Sequence, residues 1–313
     1  MKTLADYHGE YMDHLRSLNF SAYTIRQSRY CAGVFIRWLD ERQRVGEPDR
    51  LRAKHLQAWQ QELSKKTNPT GRPLKPRSIN KYVETVNGLL KHLAKTGVVS
   101  QQMASVLQYV KEPFLLPGNI LTHDSMTRLL RVVSTETPDG YRLRTMLEVL
   151  YSSGIRVAEL LGLDIGAVDF KNATAKVLGK GRKERVVPIG KTALQYLESY
   201  IRAIRAVSAG PDQPSLFVDS SGRRFPYYTF RRQIKACARK AGISIEVTPH
   251  TFRRSCATEL LRGGANMYHV KELLGHESLE TLKHYAKLTI TDLKVTHEKC
   301  HPREQEERTA QGD

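Results

Sequence analysis

The sequence is poor in cysteine and has no long apolar run. Its four cysteines, in 313 residues, lie far apart and form no C-x-x-C pair, so neither a zinc ribbon nor a disulfide framework is indicated. We expect reduced, mostly structural thiols. No apolar stretch approaches membrane-spanning length, and the first residues include acids where a signal peptide has its apolar core. We therefore expect a cytoplasmic protein without a membrane partner.

Acidic residues are scarce relative to basic ones. Aspartate and glutamate number 32 against 50 lysines and arginines, which gives a formal net charge of +18 at pH 7. This excess favours a polyanionic partner, which can be DNA, RNA or an anionic membrane surface. The sign of the charge alone does not choose among them. No carboxylate cluster suited to two-metal catalysis stands near the histidine and arginine motifs of the C-terminal half, so no metal is expected.

Residues 1–111 carry helical periodicity throughout. Ser21 is a candidate cap for one helix, and Trp59 lies on the apolar face of another. Ser78 is a candidate cap for a third helix, which should end near Gly97. We predict a helical N-terminal domain.

Residues 65–77 form a basic segment, rich in proline and glycine, that separates two of these helices and should not be helical. Its cations are suited to phosphate oxygens, and such contacts position a protein on nucleic acid without reading its sequence. The candidate DNA-binding residues here are Lys65, Lys66, Arg72, Lys75 and Arg77.

Two prolines and a glycine interrupt the helical periodicity at residues 112–119, which makes this stretch the candidate interdomain linker. A length of 313 residues also favours two domains over one. The second domain is predicted to span residues 120–301. The polar tail 302–313 is expected to be disordered.

The second domain is predicted to be mainly α-helical with a small β-sheet. Its clearest β signal runs from Ala173 to Ile189, as two strands joined by a Gly-Lys-Gly-Arg-Lys turn. Lys180 lies at the tip of this hairpin, with Arg182 and Lys183 beside it as further candidate DNA-binding cations.

Two arginines are candidates for phosphate recognition. Arg156 and Arg253 are each embedded in an apolar segment expected to be helical, where a guanidinium needs a compensating anion. A guanidinium fork matches the non-bridging oxygens of a phosphodiester, on which charge builds during attack. Glu159, one helical turn after Arg156, is a candidate to orient it. Read singly, each has an ordinary alternative, as an ion-pairing surface arginine or a solvent-facing glutamate.

Two histidines lie close to Arg253 in sequence. Thr248 and Pro249 predict a helix start, so His250 and Arg253 should share one face near the positive end of that helix. His276 follows a short helix that stops at a glycine. Either histidine can transfer protons or donate to a phosphate, although each alone is more often structural.

Tyr285 is the candidate nucleophile. A phosphotyrosyl intermediate conserves the energy of the broken bond and so needs neither ATP nor a metal, and no cofactor is expected. Lys180 on a mobile hairpin tip suits a general acid that protonates the departing 5′ oxygen. Taken alone, the tyrosine reads as core packing and the lysine as a solvated cation.

Together these positions resemble, in order and spacing, the tyrosine recombinase (phage-integrase-type) family, and within it the Xer-like branch. The resemblance covers nearly the whole chain, and the N-terminal region looks like the family's core-binding (SAM-like) domain. His297-Glu-Lys-Cys-His301 is similar to the end of Xer-type proteins. The motifs that carry the resemblance are Ser153-Gly-Ile-Arg156-Val-Ala-Glu159, Leu178-Gly-Lys180-Gly-Arg-Lys-Glu-Arg-Val-Val-Pro, Thr248-Pro-His250-Thr-Phe-Arg253, Leu273-Leu-Gly-His276, and Tyr285 beyond it.

The resemblance implies a tyrosine recombinase catalytic domain and a site-specific DNA recombinase, acting through a 3′-phosphotyrosine intermediate and a Holliday junction. The cellular purpose stays open between dimer resolution and integration or excision of mobile elements. The implied roles are phosphate binding by Arg156, Arg253 and His276, proton transfer by Lys180 and His250, and nucleophilic attack by Tyr285.

The resemblance also implies an assembly. The two domains would form a C-shaped clamp on double-stranded DNA with a specific recombination site. Four protomers would act on two sites, as a homotetramer or as a heterotetramer with a second recombinase, with the segment 288–299 docking on a neighbour. Two rival functions remain: DNA relaxation of the type IB topoisomerase kind, and a catalytically silent DNA-binding protein.

Overall fold

The computed structural model describes residues 2–113, 119–179 and 183–275. The chain divides into two compact units, Met1–Phe114 and Leu115–Asp313. This division falls inside residues 112–119, where the sequence predicts a linker. Both units are mainly α-helical, and the described part of the second also contains a small three-stranded sheet, which confirms the predicted fold class.

The N-terminal unit is built from four helices whose apolar faces enclose one core. Trp59 lies in this core with its ring centroid 5.4 Å from that of Phe35. Ser21 caps the second helix as predicted, because its Oγ accepts from the backbone N–H of Thr24 at 3.1 Å. The helices are α1 (Leu4–Ser17), α2 (Ala22–Gln43), α3 (Ala53–Lys65) and α4 (Pro76–Lys95), with 3₁₀ turns at Pro48–Arg50 and Gln101–Ser105.

Helix α4 begins earlier than the sequence predicts. Its N-cap is Lys75 and its first residue is Pro76, so Ser78 is not the cap. Proline suits the first helical position because its φ is already helical and no N–H partner is needed there. Arg77 therefore lies in the first turn of α4 and Lys65 in the last turn of α3, which leaves residues 66–75 as the loop.

The loop 66–75 is ordered by its own hydrogen bonds. Asn68 Oδ1 accepts from the backbone N–H groups of Thr70, at 2.9 Å, and Arg72, at 3.0 Å. The N–H of Leu74 donates to the carbonyl of Lys66 at 3.0 Å. These bonds fold the segment into a tight hairpin-like turn that is not helical, in agreement with the sequence pattern.

The C-terminal unit packs its helices around α6, whose residues Met146, Leu147, Val149 and Leu150 are fully buried. Its helices are α5 (His123–Arg131), α6 (Pro138–Ser153), α7 (Val157–Gly162), α8 (Lys191–Tyr200), which continues through a π-helical turn (Ile201–Arg205) into α9 (Ala206–Ser208), then α10 (Tyr227–Lys240), α11 (Pro249–Arg262) and α12 (Met267–Leu274).

The sheet is antiparallel in the order β1 (Val168–Asp169), β2 (Thr174–Leu178), β3 (Glu184–Pro188). Strands β2 and β3 form the predicted hairpin, in which Lys176 pairs with Val186. The short β1 was not predicted. Val177 and Val187 are buried on the inner face, and Arg185 shares that face with Val187 because side chains alternate along a strand.

The described cysteines, Cys31, Cys237 and Cys256, are buried free thiols, while Cys300 lies outside the described residues. Across the ranges that the structure describes, none of the helices combines the length and apolar character needed to cross a bilayer.

Candidate active site

Arg156 stands at the junction between α6 and α7. Gly154 ends α6 in the left-handed conformation, with φ of +61°, and Arg156 is the N-cap of α7 in extended backbone. The expectation that Arg156 lies within a helix is therefore wrong, because the glycine breaks the helix two residues earlier. About a third of the Arg156 side chain, 33%, is exposed to solvent, which leaves it accessible to a ligand.

Glu159 is buried and binds Arg156 twice. Its carboxylate accepts from the Arg156 backbone N–H at 2.8 Å and from Nη1 at 2.9 Å. Its side chain is only 3% exposed, so it does not face solvent. Burial raises the pKa of Glu159, but hydrogen bonds from Arg185 and Arg156 outweigh this and hold the pKa below its ordinary value. The carboxylate is therefore ionised and fixes the Arg156 guanidinium.

Arg185, on β3, was not selected from the sequence. Its Nη1 and Nη2 donate to the two carboxylate oxygens of Glu159, each at 2.8 Å. This bidentate pair lies 26 residues apart in sequence. The alternation along β3 could have indicated it, because residue 185 lies on the same face of the strand as the apolar, buried Val187.

Arg253 lies on α11 and is almost completely buried, at 6% exposure. Its Nη1 donates to the carbonyl of Gly154 at 2.8 Å, and its Nη2 donates to the carbonyl of Leu274. Helix α11 begins at Pro249 after the cap Thr248, as predicted. Arg253 thus bridges the end of α6 and the end of α12.

The end of α12 brings three guanidinium groups together. Its last carbonyl groups have no helical partner, and the helix dipole makes this end negative. Three successive carbonyl oxygens each accept from a different arginine: Leu273 from Arg185 Nε at 3.1 Å, Leu274 from Arg253, and Gly275 from Arg156 Nη2 at 2.8 Å. Arg156 and Arg253, 97 positions apart in the numbering, therefore meet at adjacent carbonyl groups.

Two glycines make this close approach possible. Gly154 and Gly275 both have φ of +61°, a conformation that favours glycine. A Cβ atom at Gly275 would lie 3.1 Å from the guanidinium of Arg185, and one at Gly154 would lie 2.8 Å from Leu274 Cδ2. A larger residue would therefore press on Arg185 at position 275 and on the Leu274 side chain at position 154, besides adopting a strained positive φ.

His250 lies in the first turn of α11, and its imidazole keeps contact with solvent. Partial desolvation and the positive charges of Arg254, Arg253 and Arg156 lower the pKa of His250 below its ordinary value. At neutral pH the imidazole is thus uncharged and able to accept a proton.

Four predicted site residues lie outside the described residues: Lys180, Arg182, His276 and Tyr285. The segment 288–299 also lies outside them. Gly179 and Gly275, the described neighbours of Lys180 and His276, both pack near Arg185, since a Cβ at Gly179 would lie 3.4 Å from Arg185 Nη1.

The candidate DNA-binding residues of the N-terminal unit are mostly exposed. Lys66 is half-buried and lies over the Tyr82 ring, with Nζ 5.7 Å from its centroid. In the C-terminal unit, Lys183 is exposed at the base of the hairpin. The other described candidates, all exposed, are Lys65, Arg72, Lys75 and Arg77.

Helix α10 adds cations that were not selected from the sequence. Lys235 pairs with Glu246 at 3.5 Å. The exposed cations of this helix are Arg232, Lys235, Arg239 and Lys240. Throughout the described ranges, no three His, Cys, Asp or Glu side chains gather in the way that a metal site requires.

Comparison with known proteins identifies the family of this chain. Residues 119–291 match the Phage integrase family. Tyrosine recombinase XerD of Listeria innocua serovar 6a is 31% identical over 285 residues, which cover 90% of this chain and 94% of that protein. Tyrosine recombinase XerC of Shewanella sp. strain ANA-3 is 33% identical over 245 residues, covering 78% and 80%.

The fold is also found in solved structures. A crystal structure of a lambda integrase tetramer bound to a Holliday junction matches with a TM-score of 0.70 and 16% identity, covering 91% of this chain and 77% of that one. At this identity the match establishes the fold.

The chain belongs to the phage integrase family. Within it, the chain is a Xer-like tyrosine recombinase, an enzyme of site-specific recombination that cleaves and rejoins DNA. The comparisons do not favour the topoisomerase-like function or the silent DNA-binding protein.

Proposed function

We propose that Tyr285 attacks the scissile phosphate of a specific recombination site and forms a 3′-phosphotyrosine with release of a 5′-hydroxyl. The 5′-hydroxyl of a partner strand then attacks this linkage, displaces the tyrosine and completes strand exchange through a Holliday junction. Energy is conserved in the covalent intermediate, so the reaction requires neither ATP nor a cofactor.

In this proposal Arg156, Arg253 and His276 hold the non-bridging oxygens of the phosphate. The observation that carries it is the convergence of Arg156 and Arg253 on the carbonyls of Gly275 and Leu274. A guanidinium stays charged throughout the pH range of proteins and stabilises charge that develops on phosphate oxygens. Both arginines are held by fixed backbone acceptors, so the binding geometry exists before DNA arrives.

His250 and Lys180 are the proposed proton-transfer groups. The lowered pKa of His250 supports its role as the acceptor of the Tyr285 proton, because the imidazole is neutral at neutral pH. Lys180 protonates the departing 5′ oxygen. Its neighbour Gly179 packs on the Glu159–Arg185 pair, which anchors the base of the hairpin near Arg156.

The two domains are proposed to have different functions. The helical domain of residues 1–111 binds DNA with the cations of its basic segment, and residues 120–301 carry the chemistry. The exposed cations of α10 add contacts to the DNA backbone, which raise affinity in a salt-dependent way.

Four protomers are proposed to act on two sites, with the segment 288–299 docking on a neighbour. The lambda integrase structure contains a tetramer on a Holliday junction. Similarity to both XerC and XerD proteins supports a heterotetramer with a second recombinase as the alternative to a homotetramer. The cellular role is dimer resolution or the integration and excision of a mobile element.

The decisive experiment is covalent trapping. Nicked duplexes carrying DNA that flanks the gene, or palindromes like those of dimer-resolution sites, are incubated with wild type and with Tyr285→Phe. A denaturant-resistant adduct that is lost in Tyr285→Phe supports the nucleophile and locates the site. An adduct that survives the substitution would assign the nucleophile elsewhere.

A further inference from the structure

Arg185 contacts the segments that carry the proposed catalytic residues. Its two terminal nitrogens bind Glu159, which holds Arg156, and its Nε donates to Leu273 near the end of α12. A Cβ at Gly179, beside the hairpin tip, would lie 3.4 Å from Arg185 Nη1. A Cβ at Gly275, beside His276, would lie 3.1 Å from the same guanidinium.

Only an arginine can make this set of contacts from one position. Two parallel N–H groups meet both oxygens of the carboxylate, while Nε, in the same plane, points at a backbone carbonyl. A lysine at residue 185 would supply a positive charge without the planar fork. The contacts of Arg185 thus set the orientation of Glu159 as well as neutralising its charge.

We propose that Arg185 is a positioning residue for recombination. It fixes the carboxylate of Glu159 and the end of α12, and through them it aims the Arg156 guanidinium at the phosphate. The proposal rests on the proposed function, in which Arg156 binds that phosphate. Arg185 has no direct contact with DNA in this scheme, because Nε and both terminal nitrogens each donate to a protein acceptor.

Two variants and a matched control test the role. Arg185→Gln removes the charge and the fork, and Arg185→Lys keeps only the charge. The control is Glu184→Gln, the adjacent residue on β3, which loses an exposed 2.6 Å ion pair with Lys176. All are made in the full chain.

Cleavage is measured as single-turnover adduct formation on a nicked duplex, whose site is selected from randomised DNA by binding to the wild-type protein. We expect both Arg185 variants to slow adduct formation by about 10- to 100-fold at saturating protein, because misplaced groups lose alignment with the reacting phosphate. The protein concentration that gives half the maximal rate should change little. Glu184→Gln should behave like wild type.

A double-mutant cycle separates positioning from a direct or purely structural role. If Arg185 acts through Arg156, Arg185→Gln costs little additional rate in an Arg156→Lys background. Equal losses in both backgrounds would overturn the proposal. So would a loss that follows the fraction of folded protein in thermal melts.

A measurement without DNA completes the test. It replaces the double-mutant cycle if Arg156→Lys forms too little adduct to measure. In the wild type, the hydrogen-bonded Arg156 guanidinium should show separate ¹⁵Nη signals because its rotation is hindered. The two signals should merge in Arg185→Gln, because the Arg156 guanidinium is then free to rotate. If Arg185→Gln does not fold, Arg185→Lys is measured instead. Separate signals in a folded variant would contradict the proposal.

The phosphate-binding role of Arg156 and the positioning role of Arg185 can be refuted separately. If Arg156→Lys leaves cleavage unchanged, the proposed role of Arg156 is wrong, whatever Arg185 does. If Arg156→Lys slows cleavage and the Arg185 variants do not, only the positioning role is wrong.

Discussion

Arg253 donates a hydrogen bond of 2.8 Å to the carbonyl oxygen of Gly154, a residue 99 positions earlier in the chain. Gly154 ends α6, and Arg156 follows two residues later. The side chain of one proposed phosphate ligand therefore fixes the backbone that places the other. Arg156, in contrast, is one-third exposed. Substitutions at the two arginines should consequently differ in their effect on the fold.

Arg156→Ala should reduce chemistry far more than binding. We expect cleavage to slow by about 10²- to 10³-fold, as when one donor to a developing oxyanion is removed. Affinity should change little, because the other cations proposed to contact the DNA backbone are retained. Single-turnover adduct formation and equilibrium DNA binding at one fixed salt concentration measure the two effects. A parallel fall in both would show that Arg156 contributes uniform binding.

Arg253→Ala should also destabilise the protein. It leaves the carbonyl oxygens of Gly154 and Leu274 without this donor, and a buried unsatisfied group costs about 1–3 kcal/mol. The free energy of unfolding, from chemical denaturation followed by circular dichroism, should fall below those of wild type and Arg156→Ala. Wild-type stability of Arg253→Ala would refute the bridging role of Arg253.

The lower pH limit of cleavage should report His250. The neutral imidazole is the proposed proton acceptor, so the rate should fall as pH drops through the pKa of His250, which lies below the ordinary value of 6.5. Arg254→Gln removes one of the charges that lower this pKa and should move it upward, toward 6.5. An NMR titration of the His250 ring measures the change without DNA.

Arg262→Gln, near the other end of α11, is the control for this titration. Its side chain is exposed and pairs with Glu259 at 3.0 Å. It should leave the His250 titration nearly unchanged. An equal shift in both variants would mean that net charge, rather than proximity, sets the pKa.

Glu159→Gln should lower the free energy of unfolding by about 3–5 kcal/mol at neutral pH, because two guanidiniums lose a buried partner. The pKa of Glu159 is lowered in the folded state, so its stabilising effect is complete above the ordinary value of 4.5 and is lost as pH falls through the lowered pKa. The difference between wild type and variant should shrink at acid pH. Glu184→Gln, at an exposed pair, should cost at most about 1 kcal/mol.

Two helical glycines of the N-terminal unit should respond oppositely to alanine. A Cβ at Gly88 would collide with the hydroxyl of Tyr11, whereas one at Gly9 meets nothing within 4 Å. Gly88→Ala should therefore destabilise by about 1–3 kcal/mol, and Tyr11→Phe should relieve much of that loss. Gly9→Ala should stabilise by up to about 1 kcal/mol, since alanine favours the helix. Thermal melts of wild type, Gly9→Ala, Gly88→Ala and the double variant Gly88→Ala/Tyr11→Phe measure these differences in stability.

Local patterns explain what the sequence could predict. The hairpin followed from two alternating strands around a glycine-rich turn, and the ends of α6 and α12 followed from single glycines after apolar runs. The start of α4 was misplaced because a serine cap was preferred over proline at the first helical position. Each of these signals lies within a few residues of the feature it specifies.

The contacts among the arginines could not be predicted in the same way. Arg156 and its acceptor Gly275 are 119 positions apart, and Arg185 and Leu273 are 88 apart. No periodicity connects such positions. The apolar setting of Arg156 and Arg253 selected them as candidates, with Glu159 one helical turn after Arg156. Arg185 lies within the hairpin motif that carries the family resemblance, but its partners Glu159 and Leu273 become apparent only in the fold.

The acceptors at the end of α12 lie late in the chain relative to the arginines that they bind. Arg156 and Arg253 are synthesised before Leu274 and Gly275, and each donates to one of these two late residues. A nascent or truncated chain that stops before α12 would contain both guanidiniums but lack the carbonyls that aim them. The proposed phosphate site therefore needs residues up to Gly275, and we expect chains that end before α12 to lack it.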